Sequence, residues 1–172
     1  MIAHEYDLGP PARKVDLLAL AGERPLTVAD LPEEDVAGRT ELIDGSLYVT
    51  PGADTDHQLL VADVYEHLLA RLPRDSGLRV LPGVNVVFDN STLVVPDIAV
   101  IDPRERSRLG IHPKAVVLVV EVTSPSTRRR DLTIKRDLYV EWEVPLILVD
   151  RKQGPPVSVH GKLPDWVGEI SL

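Results

Sequence analysis

The chain has no cysteine among its 172 residues. That excludes disulfides, thiolate metal sites and a cysteine nucleophile, and it fits a reducing cytoplasm. No apolar run is long enough to span a bilayer. The N-terminus, Met1-Ile2-Ala3-His4-Glu5-Tyr6-Asp7, is acidic and lacks the basic and apolar stretches of a secretory signal. There are no repeats, no low-complexity tract, and no zinc-like spacing among the five histidines. Basic residues are in deficit: 19 Lys and Arg stand against 27 Asp and Glu, a net charge of −8. Such a balance argues at first against a phosphate-rich partner. What is present is 44% hydrophobic sequence of a length suited to one domain with a real core.

The distribution of charge changes the picture. Residues 1–101 carry 7 basic against 17 acidic side chains, residues 102–137 carry 9 against 5, and residues 138–172 carry 3 against 5. One segment is therefore basic, either as plain solvated surface or as a phosphate-facing patch.

Residues 1–25, with Gly9-Pro10-Pro11 and Gly22-Glu23-Arg24-Pro25, read as an extension ahead of a single domain over 26–172. A short acidic helix is expected over Thr27–Val36. Asp44-Gly45 between apolar runs predicts a hairpin over Glu41–Val49. An amphipathic helix is expected over Asp56–Leu72, capped by Thr55 or Asp56 and stopped before Pro73. A second hairpin is expected from Val80–Phe88 and Leu93–Ile101. Val116–Val122 reads as the central strand, followed by a helix over Thr127–Trp142, a strand over Leu146–Asp150 and a β-like tail. This order predicts an α/β domain with a central mixed sheet flanked by helices and an N-terminal β-hairpin.

Two acids stand out. Asp97 follows Pro96 within Val94-Val95-Pro96-Asp97-Ile98-Ala99-Val100, and Glu121 ends the run Val116-Val117-Leu118-Val119-Val120-Glu121. Each lies in what reads as a buried strand, where an unpaired charge is expensive. A shared cation would resolve both. Glu41 opens a hairpin strand, as a solvent-facing residue or a third acid.

On a helical wheel, Leu132, Leu138, Tyr139 and Trp142 form the sheet-facing arc, which also holds Arg128, Asp131 and Lys135. Arg129, Arg130, Arg136, Asp137 and Glu141 lie on or toward the other side. Lys135 thus either snorkels and pairs with Asp131 four residues earlier, or reaches the Asp97–Glu121 site. His57 falls on the apolar face of its own helix, as a hydrogen-bonded core residue or an accessory site residue.

Two carboxylates with a backbone carbonyl such as that of Val122 would suit Mg²⁺ or Mn²⁺. Such an ion stabilises an in-line displacement at phosphorus and acidifies water. Lys135 would orient that water or neutralise developing charge, and Arg128-Arg129-Arg130 would hold a nucleic-acid backbone. Three readings stand: a DNA endonuclease, acting as a homodimer because paired sites suit cutting both strands; a nuclease-fold binding module that does not cleave; and a structural ion network in an interaction domain.

Pro96-Asp97, then Glu121-Val122-Thr123-Ser124-Pro125-Ser126-Thr127-Arg128-Arg129-Arg130-Asp131, then Lys135 and Tyr139, resemble the bacterial Uma-type family of restriction endonucleases, within the PD-(D/E)XK nuclease superfamily. Glu41-Leu42-Ile43-Asp44-Gly45 followed by His57 is similar to that family's N-terminal signature, and the resemblance runs from about Leu26 to Asp150. It implies a restriction-endonuclease-like core, metal-dependent phosphodiester hydrolysis, Asp97 and Glu121 as metal ligands, and Glu41 as an additional acid. The superfamily's lysine, two residues after the second acid, is here Thr123; the resemblance implies that Lys135 on the next helix replaces it. Trp142-Glu143-Val144-Pro145 stands where the family tends to have a glycine-containing turn.

Overall fold

The computed structural model describes residues 24–31, 39–50, 53–107, 109–123, 131–149 and 157–170. Asp44 and Gly45 adopt φ of 49° and 74°, the left-handed pair whose twist matches that of the strands it joins. They close β1 (Arg39–Ile43) onto β2 (Ser46–Thr50). A Cβ on Gly45 would lie 2.7 Å from Pro25 Cβ. Glycine is therefore required both for the dihedral and for the close approach of the preceding segment.

The long second hairpin expected from the sequence is instead divided between two sheets. β3 (Arg79–Pro82) pairs with β6 (Ile98–Ile101), while β4 (Val86–Asp89) pairs with β5 (Thr92–Val94). One arm breaks after Pro82 at Gly83, with φ of 59°. The other breaks at Val95-Pro96-Asp97, where proline has no N–H for a ladder. β7 (Val116–Val122) and β8 (Leu146–Val149) run parallel, and β9 (Val157–His160) is antiparallel to β8. The result is an antiparallel sheet ordered β2-β1-β5-β4 and a mixed sheet ordered β3-β6-β7-β8-β9, with β7 at its centre as expected.

Strand alternation sorts the mixed sheet into two faces. Ile98, Val100, Leu118, Val120, Val122, Ile147 and Val149 pack under Val64 and Leu68 of α1 (Thr55–Arg71). Ala99, Val119, Leu146 and Leu148 form the opposite face, covered by Tyr139 and Val144 and joined to Ile43, Phe88 and Val94 of the other sheet. Glu121 alternates onto this second face.

Helix α1 is capped by Asp54, one position before the expected caps: its side chain accepts from the His57 N–H at 2.8 Å. The described part of the later helix is a π-helical turn over Asp131–Lys135 running into α2 (Arg136–Glu141); its expected start at Thr127 falls outside the described residues. Within the expected helix over Thr27–Val36, the described residues show a 3₁₀ turn over Val28–Asp30.

Helix α2 ends with the Glu143 N–H on the Val140 carbonyl at 3.1 Å and the Val144 N–H on the Tyr139 carbonyl at 2.8 Å. This is the paired-bond stop that favours glycine at its left-handed residue, a place Glu143 fills with φ of 55°.

Candidate active site

Strand β1 carries Arg39 and Glu41 two residues apart and hence on one face. Strand β7 carries Glu121 toward α2. Asp97 sits at the hairpin's break, and extending the Ile98–Val120 register by one residue places it across from Glu121. Lys135 and Tyr139 are one helical turn apart and share a face. Glu41, Asp97, Glu121, Lys135 and His57 are all buried.

Lys135 Nζ lies 2.9 Å from Glu41 Oε1 and 2.5 Å from Glu121 Oε1. With a side chain only 1% exposed, it does not snorkel to water. The Tyr139 hydroxyl donates to Glu121 Oε1 at 2.7 Å, and the Val95 N–H donates to Glu41 Oε1 at 2.9 Å. Asp97 Oδ2 accepts from the Val122 N–H at 2.7 Å and lies 3.4 Å from His57 Nε2, while its Oδ1 accepts from Arg39 at 2.7 Å.

His57 Nε2 is 2.9 Å from the Val122 carbonyl oxygen. A carbonyl can only accept, so this nitrogen carries a proton. His57 Nδ1 is buried with no hydrogen-bond partner among the described residues.

These contacts set the electrostatics. Burial alone would raise the Asp97 carboxyl, but the His57 hydrogen bond and the charges of Arg39 and Lys135 outweigh it and hold the group at about 2. The same hydrogen bond to Asp97 raises the His57 imidazole, against the opposing effect of its burial. Burial would lower Arg39, yet Asp97, Glu121 and Glu41 raise it on balance. Tyr139 is pushed well up, first by burial and then by Glu121. Formally, three carboxylates face two permanent cations, leaving one negative charge that a protonated His57 would cancel.

The donors suit a hard cation in their chemistry, since Asp97, Glu121 and the Val122 carbonyl are all oxygen ligands in a cluster of residual negative charge. No group of three His, Asp or Glu side chains among the described residues is arranged to hold a metal. An ion would therefore draw on two carboxylates and a carbonyl.

Of the residues expected from sequence, Glu41, Asp97, Glu121, Val122, His57 and Lys135 come together. Arg128, Arg129 and Arg130 lie outside the described residues, as does the side chain of Asp131. Sequence reasoning missed Arg39 and the hydrogen-bonding role of Tyr139. The strand period counted back from Glu41 would have placed Arg39 on its face.

Among the described residues no helix is long and apolar enough to cross a membrane. No curated protein matches the chain. A solved structure titled as a putative nuclease belonging to DUF820, from Anabaena variabilis ATCC 29413, superposes with a TM-score of 0.64 at 18% identity, over 86% of this chain and 94% of that one. The two share a fold. The family model Uma2, described as "Putative restriction endonuclease", matches residues 27–167. The match spans both sheets and the whole acid cluster, and the chain belongs to the Uma2 family.

Proposed function

We propose that this chain is a metal-dependent endodeoxyribonuclease. The observation that carries this reading is the convergence of Glu41 and Glu121, one from each sheet, onto one buried lysine, with Asp97 standing across from Glu121. Asp97, Glu121 and the Val122 carbonyl would hold Mg²⁺ or Mn²⁺. A bound ion of this kind stabilises charge on a phosphate oxygen and makes water a better nucleophile. Lys135 fixes the orientation of Glu121 and places positive charge where the displacement builds negative charge. Glu41 holds Lys135 in place. The basic Arg128-Arg129-Arg130 run would take the DNA backbone, with two copies of the chain cutting the two strands in the cytoplasm.

The test is Mn²⁺ titration by calorimetry together with nicking of supercoiled plasmid, on the wild type, Asp97→Ala and Glu121→Ala. Metal binding and nicking by the wild type, both lost in folded variants, support the reading. Equal weak binding in all three proteins, with no nicking, overturns it.

One observation favours a second reading. The acids already have protein cations as partners, as they would in a structural ion network. A nuclease-fold module that binds without cleaving would look the same, and the metal titration separates the two.

A further inference from the structure

Arg39 and Lys135 both neutralise the acid cluster, but they are held in different ways. Lys135 is 1% exposed and lies against two carboxylates. Arg39 keeps 24% of its side chain exposed, and among the described residues its guanidinium makes a single hydrogen bond, from one terminal nitrogen to Asp97 Oδ1. A guanidinium has five N–H groups, so most of its capacity is unused there. Asp97 does not depend on Arg39 for its orientation, because the Val122 N–H fixes its other oxygen at 2.7 Å. Oδ1 can therefore change partner without the carboxylate turning. Arg39 is also the first residue of β1.

We propose that Arg39 is an exchangeable counter-ion. It neutralises Asp97 Oδ1 in the metal-free protein and gives up that oxygen to an incoming divalent cation. This rests on the metal-site reading above and adds a competitor built into the chain. A guanidinium and a dication cannot share one carboxylate oxygen cheaply, since like charges that close repel strongly. Metal affinity is then set partly by how readily Arg39 leaves.

The experiment is calorimetry with MnCl₂ on the wild type, Arg39→Gln, Arg39→Lys and Asp97→Ala. It is paired with NMR of the arginine side-chain N–H groups of the wild type during MgCl₂ titration. Arg39→Gln removes the competing charge and should bind Mn²⁺ about tenfold more tightly than the wild type. Arg39→Lys, which keeps the charge, should bind close to the wild type. The Arg39 Nε–H resonance, assigned by its loss in Arg39→Lys, should move as Mg²⁺ saturates.

Equal or weaker binding by Arg39→Gln, with binding still lost in Asp97→Ala, overturns the exchange and leaves the metal site standing. Binding that survives Asp97→Ala, or no binding in any protein, overturns both. Should Arg39→Gln not fold, the wild-type resonance decides: an unmoved Nε–H at saturating Mg²⁺ overturns the exchange.

Discussion

Tyr139 donates its hydroxyl proton to the same oxygen of Glu121 that lies against Lys135, at 2.7 Å and 2.5 Å respectively. Two donors from successive turns of one helix thus converge on one atom of the neighbouring strand. The acid is positioned by side chains that come later in the sequence. Tyr139→Phe keeps the ring packed against Phe88, with centroids 6.0 Å apart, and removes only the donor. The expected loss of stability is about 1–2 kcal/mol, read from the urea midpoint with an unchanged slope.

Lys135→Met should be far more damaging. It leaves Glu41 and Glu121 buried without the cation between them, which costs about 3–5 kcal/mol. Adding Glu121→Gln removes one of the stranded charges and should restore much of that loss. Nicking should remain abolished in the double variant. Stability that recovers together with activity would mean that Lys135 serves the fold alone.

Acid should destabilise the metal-free protein through Asp97. Its folded value of about 2 lies below the ordinary 3.8, so between these values the unfolded chain holds more protons than the native one. Stability is therefore full above about pH 4 and falls as the pH drops toward 2, by about 2 kcal/mol. Urea unfolding at steps of pH should show this slope in the wild type and lose it in Asp97→Asn.

Glu143→Gly should stabilise the chain. Glu143 occupies the left-handed position at the end of α2 with φ of 55°, where a side chain is strained and glycine is not. The expected gain is about 0.5–1 kcal/mol, seen as a higher melting temperature, with no change in nicking.

Asp54→Ala removes the cap of α1, whose side chain accepts from the His57 N–H. Loss of such a cap costs about 1 kcal/mol. Because His57 begins the turn that reaches Val122, Mn²⁺ affinity measured by calorimetry should also weaken.

The acids of this site were legible because a charge inside an apolar run has few explanations, and Asp97 and Glu121 each sit in one. Lys135 was legible because helical periodicity aims it at the sheet. Arg39 was not, since its partner lies 58 positions away and the pairing depends on how the two sheets meet. Tyr139 read as core because its ring is core; only its hydroxyl belongs to the site. The second hairpin was found with its turn in place. Its division between sheets was missed because a strand that bends keeps the apolar pattern of one that does not, leaving Gly83 and Pro96 as its only marks in the sequence.

That bent hairpin has a consequence for assembly. Arg39 and Glu41 ride on one sheet and Glu121 on the other, while Asp97 stands at the crossing between them. Neither half owns a complete centre. An intermediate holding only the mixed sheet would lack Glu41 and Arg39, the partners that the other sheet brings to Lys135 and Asp97. The full set of charges comes together only where the two sheets meet.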